Sequence, residues 1–127
     1  VGHDSKIGDF TELSPGVHIS GNCTVGNYCN IGTNATILPK ITLGKNVLTN
    51  SGCRFQDQGG ITIGDRVLIG RKVVLAAVNH ALEPNKHRKN YYELITIKND
   101  VWVGSNVTVL SGVKIGVEAV VARVLLI

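Results

Sequence analysis

The run Cys23-Thr-Val25-Gly-Asn-Tyr-Cys29-Asn-Ile31-Gly-Thr-Asn-Ala35-Thr-Ile37-Leu-Pro-Lys-Ile41-Thr-Leu43 places a large aliphatic residue at every sixth position. Four residues after each of these stands a small or β-branched residue, Cys29, Ala35 and Ile41. A period of six matches neither the 3.6 of a helix nor the alternation of a plain strand. It suits a chain that turns a corner after each short strand. Three such sides close a triangular coil of about 18 residues, and successive coils stack at the strand spacing of about 4.8 Å.

The pattern extends in both directions. Towards the N-terminus it runs back through Ile19, Leu13, Ile7 and Val1, and beyond Leu43 it continues through Thr49 and Phe55. After a two-residue slip at Gly59-Gly60 it resumes as Ile63, Ile69 and Leu75, and after a longer interruption as Ile97, Val103, Val109, Ile115 and Val121. The second series is Val17, Cys23, Cys29, Ala35, Ile41, Val47, Cys53, Val67, Val73, Val101, Val107, Val113 and Ala119. Both series are expected to point inward. The expectation is an all-β single domain over residues 1–127, a single-stranded left-handed parallel β-helix of about six triangular coils with one long loop at about 81–96.

Composition agrees. The 127 residues include 15 Gly, no Met and few aromatics, with Val and Ile spread evenly, which favours short strands and tight turns over helices. A net charge of +4 with only one basic cluster, Lys86-His87-Arg88-Lys89, gives no footprint broad enough for nucleic acid. No apolar stretch is long enough to span a bilayer and the first residues do not read as a signal peptide, so a soluble, cytoplasmic protein is expected. The three cysteines all fall in the inward small-residue series, which predicts buried, reduced, packing thiols. Asn22, Asn34 and Asn106 open N-x-S/T triplets, which would matter only in a secreted chain. Exposed positions read as mixed Asn, Lys and Asp, without the ranks of Thr that an ice-binding β-helix displays.

A regular coil offers little chemistry, so function is sought where the repeat breaks. The first break, Arg54-Phe-Gln-Asp57-Gln58-Gly-Gly60, displays Asp57 and Gln58. The second leaves the coil after His80, runs polar and basic from about Ala81 to Thr96, and rejoins at Ile97. A loop of that length in a compact domain is commonly functional.

The segments Asp57-Gln-Gly-Gly-Ile-Thr-Ile-Gly-Asp65, Val78-Asn-His80-Ala-Leu-Glu-Pro84, Ile97-Lys-Asn-Asp-Val-Trp102-Val-Gly-Ser105 and Leu110-Ser-Gly-Val-Lys-Ile-Gly116 resemble the maltose and galactoside O-acetyltransferases of the hexapeptide-repeat superfamily. The resemblance implies a homotrimer in which acetyl-CoA, as co-substrate, meets a small hydroxyl acceptor in a cleft between subunits. It makes His80 the catalytic base and places Asn50 and Asp57 at the acceptor, with Gln58 where some members carry an acid. It matches Trp102 and Ser105 to positions lining the pantetheine and thioester end. Residues 1–46, above all Val1-Gly-His3-Asp4 and the run to Gly16, resemble the sialic-acid and amino-sugar acetyltransferases instead. In that branch the base would be His3, oriented by Asp4. By repeat counting His3 and His80 are about four coils, or about 20 Å, apart and cannot share one site.

The chemistry asks for such a base. A sugar hydroxyl attacks a thioester only if its proton is removed as the new C–O bond forms, and His suits that task near neutral pH. With the cysteines turned inward, direct transfer in a ternary complex is simpler than an acyl-enzyme. Glu83 is a candidate to orient the imidazole, and the Gly104-Ser105 backbone a candidate donor to the developing oxyanion. His18 and His87 read as solvated. Lys86, Arg88 and Lys89 fit a solvated tip and a contact to CoA phosphates equally, and Trp102 also fits a subunit interface. No metal is expected, because the four histidines lack the spacing of a γ-type carbonic anhydrase. The alternative function is a catalytically impaired trimeric scaffold, or a protein that binds CoA or another small molecule without turnover.

Overall fold

The computed structural model describes residues 1–56, 58–76 and 93–122. Among them are seventeen strands of two or three residues and no helix. All strand pairs are parallel, and they build three sheets. The first side comprises β1 (Lys6–Ile7), β4 (Thr24–Val25), β7 (Ile41–Leu43), β10 (Ile61–Ile63), β13 (Ile95–Ile97) and β16 (Lys114–Ile115). The second side comprises β2 (Glu12–Leu13), β5 (Asn30–Ile31), β8 (Leu48–Thr49), β11 (Leu68–Ile69), β14 (Trp102–Val103) and β17 (Val120–Val121). The third comprises β3 (His18–Ile19), β6 (Thr36–Ile37), β9 (Arg54–Gln56), β12 (Val74–Ala76) and β15 (Thr108–Leu110). Every strand from β1 to β14 pairs with the third strand after it, and the chain forms a left-handed parallel β-helix.

Register makes the breaks quantitative. Equivalent residues lie 18 apart in regular coils, 20 apart across the first break and 34 apart across the second. The second break therefore inserts sixteen residues, as the repeat implies, but its boundary differs from the expected 81–96. Ile95 and Thr96 belong to β13, paired with Ile61 and Thr62, so the excursion lies wholly between Ala76 and Ile95. The reason is that Ile95 falls in the inward second series, as does Ile61, and both are buried.

Why each side turns is visible in the backbone. One residue in each described corner has positive φ, recurring every six positions from Asp4 and Phe10 through Gly16, Asn22, Tyr28 and Asn34. Asn is among the residue types that tolerate this conformation, so Asn22, Asn34 and Asn106 have a structural reason to stand where they do. Gly26 answers a different need. A Cβ there would sit 2.5 Å from the Gly44 carbonyl oxygen of the next coil, so backbones stack too closely for any side chain.

The inward series forms one core from Ile19 to Ile115, with Phe55, Ile37 and Leu75 fully enclosed on the third side. Its ends depart from the expectation. Val1, Leu13 and Val113 are exposed, because a coil's apolar side is covered by its neighbours and an end coil has only one. Cys23, Cys29 and Cys53 are free and buried, and their Sγ–H groups reach the carbonyls of Leu38, Gly44 and Gly70 in the following coil. Burial pushes the Cys29 and Cys53 thiols above their ordinary range. Iodoacetamide is accordingly expected to modify neither at pH 8 until denaturant unfolds the coils, as intact-mass measurement would read; prompt labelling of the native chain would contradict the packing.

The outward residues correct one expectation. Asn, Lys and Asp occupy the corners, but the strand centres of the first side carry Thr24, Thr42, Thr62 and Thr96 in register, flanked by Lys6 and Lys114. This single rank of hydroxyls follows from β propensity and from favourable Thr–Thr neighbours on adjacent strands. On the corner between the first and second sides, Phe10 stacks on Tyr28 with ring centroids 5.3 Å apart. On the same corner, Arg66 forms a two-pronged ion pair with Asp100, with Nε to Oδ1 at 2.7 Å. The hydrogen bond from Arg66 holds the Asp100 carboxyl below its usual range, so whatever the pair contributes is lost as pH falls through that lowered value.

Candidate active site

Both breaks fall on one corner, between the third and first sides, in consecutive coils: the first follows β9 and the second follows β12, which pairs with β9. Gln58 is exposed there. Asp57, His80 and Glu83 lie outside the described residues, as do His87 and the basic cluster around it.

His3 occupies the same corner near the start of the helix. Its Nδ1 lies 3.1 Å from Asp4 Oδ2, with both side chains 79% exposed, the arrangement in which an acid orients an imidazole. Four coils separate this pair from Ala76, where the second excursion departs, about 20 Å at the strand spacing. His18 points outward from the third side and is solvated.

The remaining candidates gather on a different corner, between the second and third sides. Asn50 follows β8 there and is exposed, its Oδ1 accepting the Ser51 N–H at 3.3 Å. Gly104 and Ser105 follow β14, two coils further on. From Asn50 to the break after Gln56 the chain crosses the third side in about five extended residues, or about 15 Å. Within one chain, then, Asn50 and Ser105 are separated from the breaks by a full face of the prism.

The hydrogen bonds revise the oxyanion candidate. The Gly104 N–H donates to the Val121 carbonyl at 2.7 Å as part of the coil ladder, so it is not available to a ligand. The Ser105 Oγ accepts the Arg71 N–H at 3.1 Å, which leaves the Ser105 N–H and hydroxyl proton as the donors of that pair. Trp102 is 56% exposed and stands in an outward apolar row with Leu48, Leu68 and Val120 across adjacent strands of the second side.

One element of this corner is absent from the expectation. A notch of about 290 Å³ opens beside Asn50, with Ser14, Asn30, Thr33 and Thr49 in its lining. The available signal was Thr49, the hydroxyl-bearing residue in an otherwise apolar series.

The repeats match two family models, the bacterial transferase hexapeptide (six repeats) over residues 4–39 and the hexapeptide repeat of succinyl-transferase over residues 95–122. A Vibrio cholerae hexapeptide-repeat acetyltransferase, VCA0836, solved in complex with acetyl coenzyme A, superposes with a TM-score of 0.59 at 28% identity, covering 93% of this chain and 56% of that one. This chain belongs to the hexapeptide-repeat acyltransferase superfamily.

Among curated members of the superfamily, the galactoside O-acetyltransferase of Escherichia coli K12 is 35% identical over 104 residues, 74% of this chain and 51% of that protein. The galactoside O-acetyltransferase of Lactococcus lactis is 27% identical over 105 residues. The bifunctional protein GlmU of Polaromonas naphthalenivorans is 29% identical over 121 residues, 95% of this chain and 22% of that protein. The chain spans about half the length of the galactoside O-acetyltransferases it matches.

Proposed function

We propose that this protein transfers the acetyl group of acetyl-CoA directly to a hydroxyl of a sugar or similar small molecule, with His80 as general base. The observation that carries this reading is the 35% identity to a galactoside O-acetyltransferase across the coils that bear both breaks, alongside a structural relative solved with acetyl-CoA. The acceptor oxygen bonds to the thioester carbonyl carbon as His80 takes its proton. The C–S bond then breaks, and the proton passes to the departing CoA thiolate. Asn50, Asp57 and Gln58 hold the acceptor, Glu83 orients His80, and Trp102 with the Gly104-Ser105 turn lines the acyl end, the Ser105 N–H facing the oxyanion.

The homotrimer that the family resemblance implies is consistent with the placement of these groups. The breaks and the Asn50–Ser105 corner lie a full prism side apart in one chain, so a compact site needs the two corners to come from neighbouring copies. The outward row of Leu48, Leu68, Trp102 and Val120 supplies an apolar face for that association. Sedimentation equilibrium is expected to give three times the chain mass for the wild type. Trp102→Glu is expected to shift the population towards monomer and reduce transfer together; a fully active monomer would defeat the shared-site reading. Cytoplasmic acetyl-CoA would be the donor.

The test of the function is release of free CoA thiol from acetyl-CoA in the presence of neutral glycosides, with acetylated product identified by mass spectrometry. No glycoside-dependent release would sink it and favour the scaffold reading. The oriented His3–Asp4 pair supports a second assignment of the base, which His3→Ala examines: near-normal turnover is expected.

A further inference from the structure

The described residues at the two ends of the second excursion rest on one turn of the next coil, Leu110-Ser111-Gly112. Ala76, the last residue of β12, pairs with Leu110. At the returning end the Ser111 Oγ accepts the Glu93 N–H at 2.8 Å and donates its proton to the Glu93 carbonyl at 2.9 Å. The Gly112 N–H reaches the same carbonyl at 3.3 Å. One hydroxyl thus holds both backbone groups of a single residue. Side chains reach back to an equivalent N–H on another corner too, from Asn27, Asp65 and Asn99. On the corner of the breaks, the positions equivalent to Ser111 in earlier coils include Gly21, Pro39 and Gly59, none of which carries a polar side chain. The difference matches a local need. At an ordinary corner a short turn fixes where the chain comes back, whereas Glu93 arrives through a long insertion and takes its place from what it bonds to.

What the returning chain touches gives this clamp a use. Leu94 lies over Gly60, its Cδ1 3.5 Å from where a Cβ would stand, and the Ile95 N–H donates to the Gly60 carbonyl at 3.1 Å. Gly60 closes the first break, which displays Gln58. The return is therefore gripped from the coil on either side, and it ties the two breaks together. Alignment of a base with its acceptor is sensitive to such ties, since a displacement of about 1 Å can cost about 10²-fold in rate. We infer that Ser111 is a positioning residue for the transfer, which by fixing Glu93 sets the excursion that bears the base against the break that holds the acceptor. The inference rests on the proposed function and adds to it a residue that touches neither substrate nor cofactor.

Amide hydrogen exchange and steady-state kinetics of the full chain test it together. Ser111→Ala is expected to exchange the Glu93 amide at least about tenfold faster and to lower kcat at least about tenfold. The KM for acetyl-CoA should stay within about twofold, because the Ser105 turn stands on a different corner. Ser111→Thr, which keeps the hydroxyl, is expected to restore kcat and slow exchange. Glu93→Ala, which keeps both backbone bonds, is expected to hold kcat within about twofold of the wild type. Unchanged exchange at Glu93, unchanged kcat in Ser111→Ala, no recovery in Ser111→Thr, or loss of kcat in Glu93→Ala would each overturn the inference. So would failure of Ser111→Ala to fold, or a loss expressed in the KM for acetyl-CoA, since the bond would then serve the coil at large. A wild type that releases no thiol with any glycoside defeats the proposed activity itself, whereas an active wild type matched by Ser111→Ala defeats only the role of Ser111.

Discussion

His80→Ala is expected to lower acetyl transfer by about 10²–10⁴-fold at neutral pH, the usual contribution of a positioned general base. The KM for acetyl-CoA should move little, because the imidazole acts on the acceptor's proton and not on the cofactor's binding. Circular dichroism and melting temperature should be unchanged, since His80 belongs to neither inward series of the repeat. The informative control is His3→Ala, because His3 has an oriented carboxylate 3.1 Å away and repeat counting along the sequence puts His80 about four coils from it. Should His3→Ala abolish turnover while His80→Ala leaves it intact, the base belongs to the exposed pair at the start of the helix.

Phe55→Ala is expected to destabilise the fold by about 3–5 kcal/mol. Phe55 is completely buried on the third side, paired with Ile37 below and Leu75 above, and it is the largest side chain in the prism. Its removal leaves a hole beside Cys53 that stacked backbones, fixed by their ladders, cannot close. Because total stability of a domain is about 5–15 kcal/mol, such a loss should lower the melting temperature by many degrees or prevent folding. Phe55→Leu, which keeps most of the volume, should cost less than about 1.5 kcal/mol and provides a foldable comparison in urea titration. A loss below about 1 kcal/mol for the alanine variant would mean that the coils collapse around the gap, contrary to the rigid stacking described here.

The sequence carried the coil because each inward position repeats with the same spacing, and no helix or plain strand could share that register. It carried the size of the second insertion for the same reason, although it missed that Ile95 belongs to the second inward series. Burial at the ends was not legible, since Val1 and Leu13 have the same chemistry as Ile31 and differ only in lacking a neighbouring coil. The threonine rank was obscured because the polar corner residues outnumber strand centres. Of the site, the corner that bears the breaks was legible as loss of period. The separation of Asn50 from that corner was not, because position around the prism depends on which of three sides a residue enters, and nearness in sequence conceals it. The engagement of the Gly104 N–H with Val121 likewise depends on a partner 17 residues away in a later coil.

The step from 18 to 34 residues between equivalent positions has a consequence for how such a chain can change. Closing a flexible segment costs conformational entropy that grows only with the logarithm of its length, so nearly doubling the segment between two paired strands costs about 0.6 kcal/mol. Thr62 and Thr96 still meet in register after the excursion, as Thr42 and Thr62 do before it. A corner of this prism can therefore acquire or exchange a long segment at a cost smaller than that of one lost methyl group in the core. New chemistry can be installed there without renegotiating the scaffold.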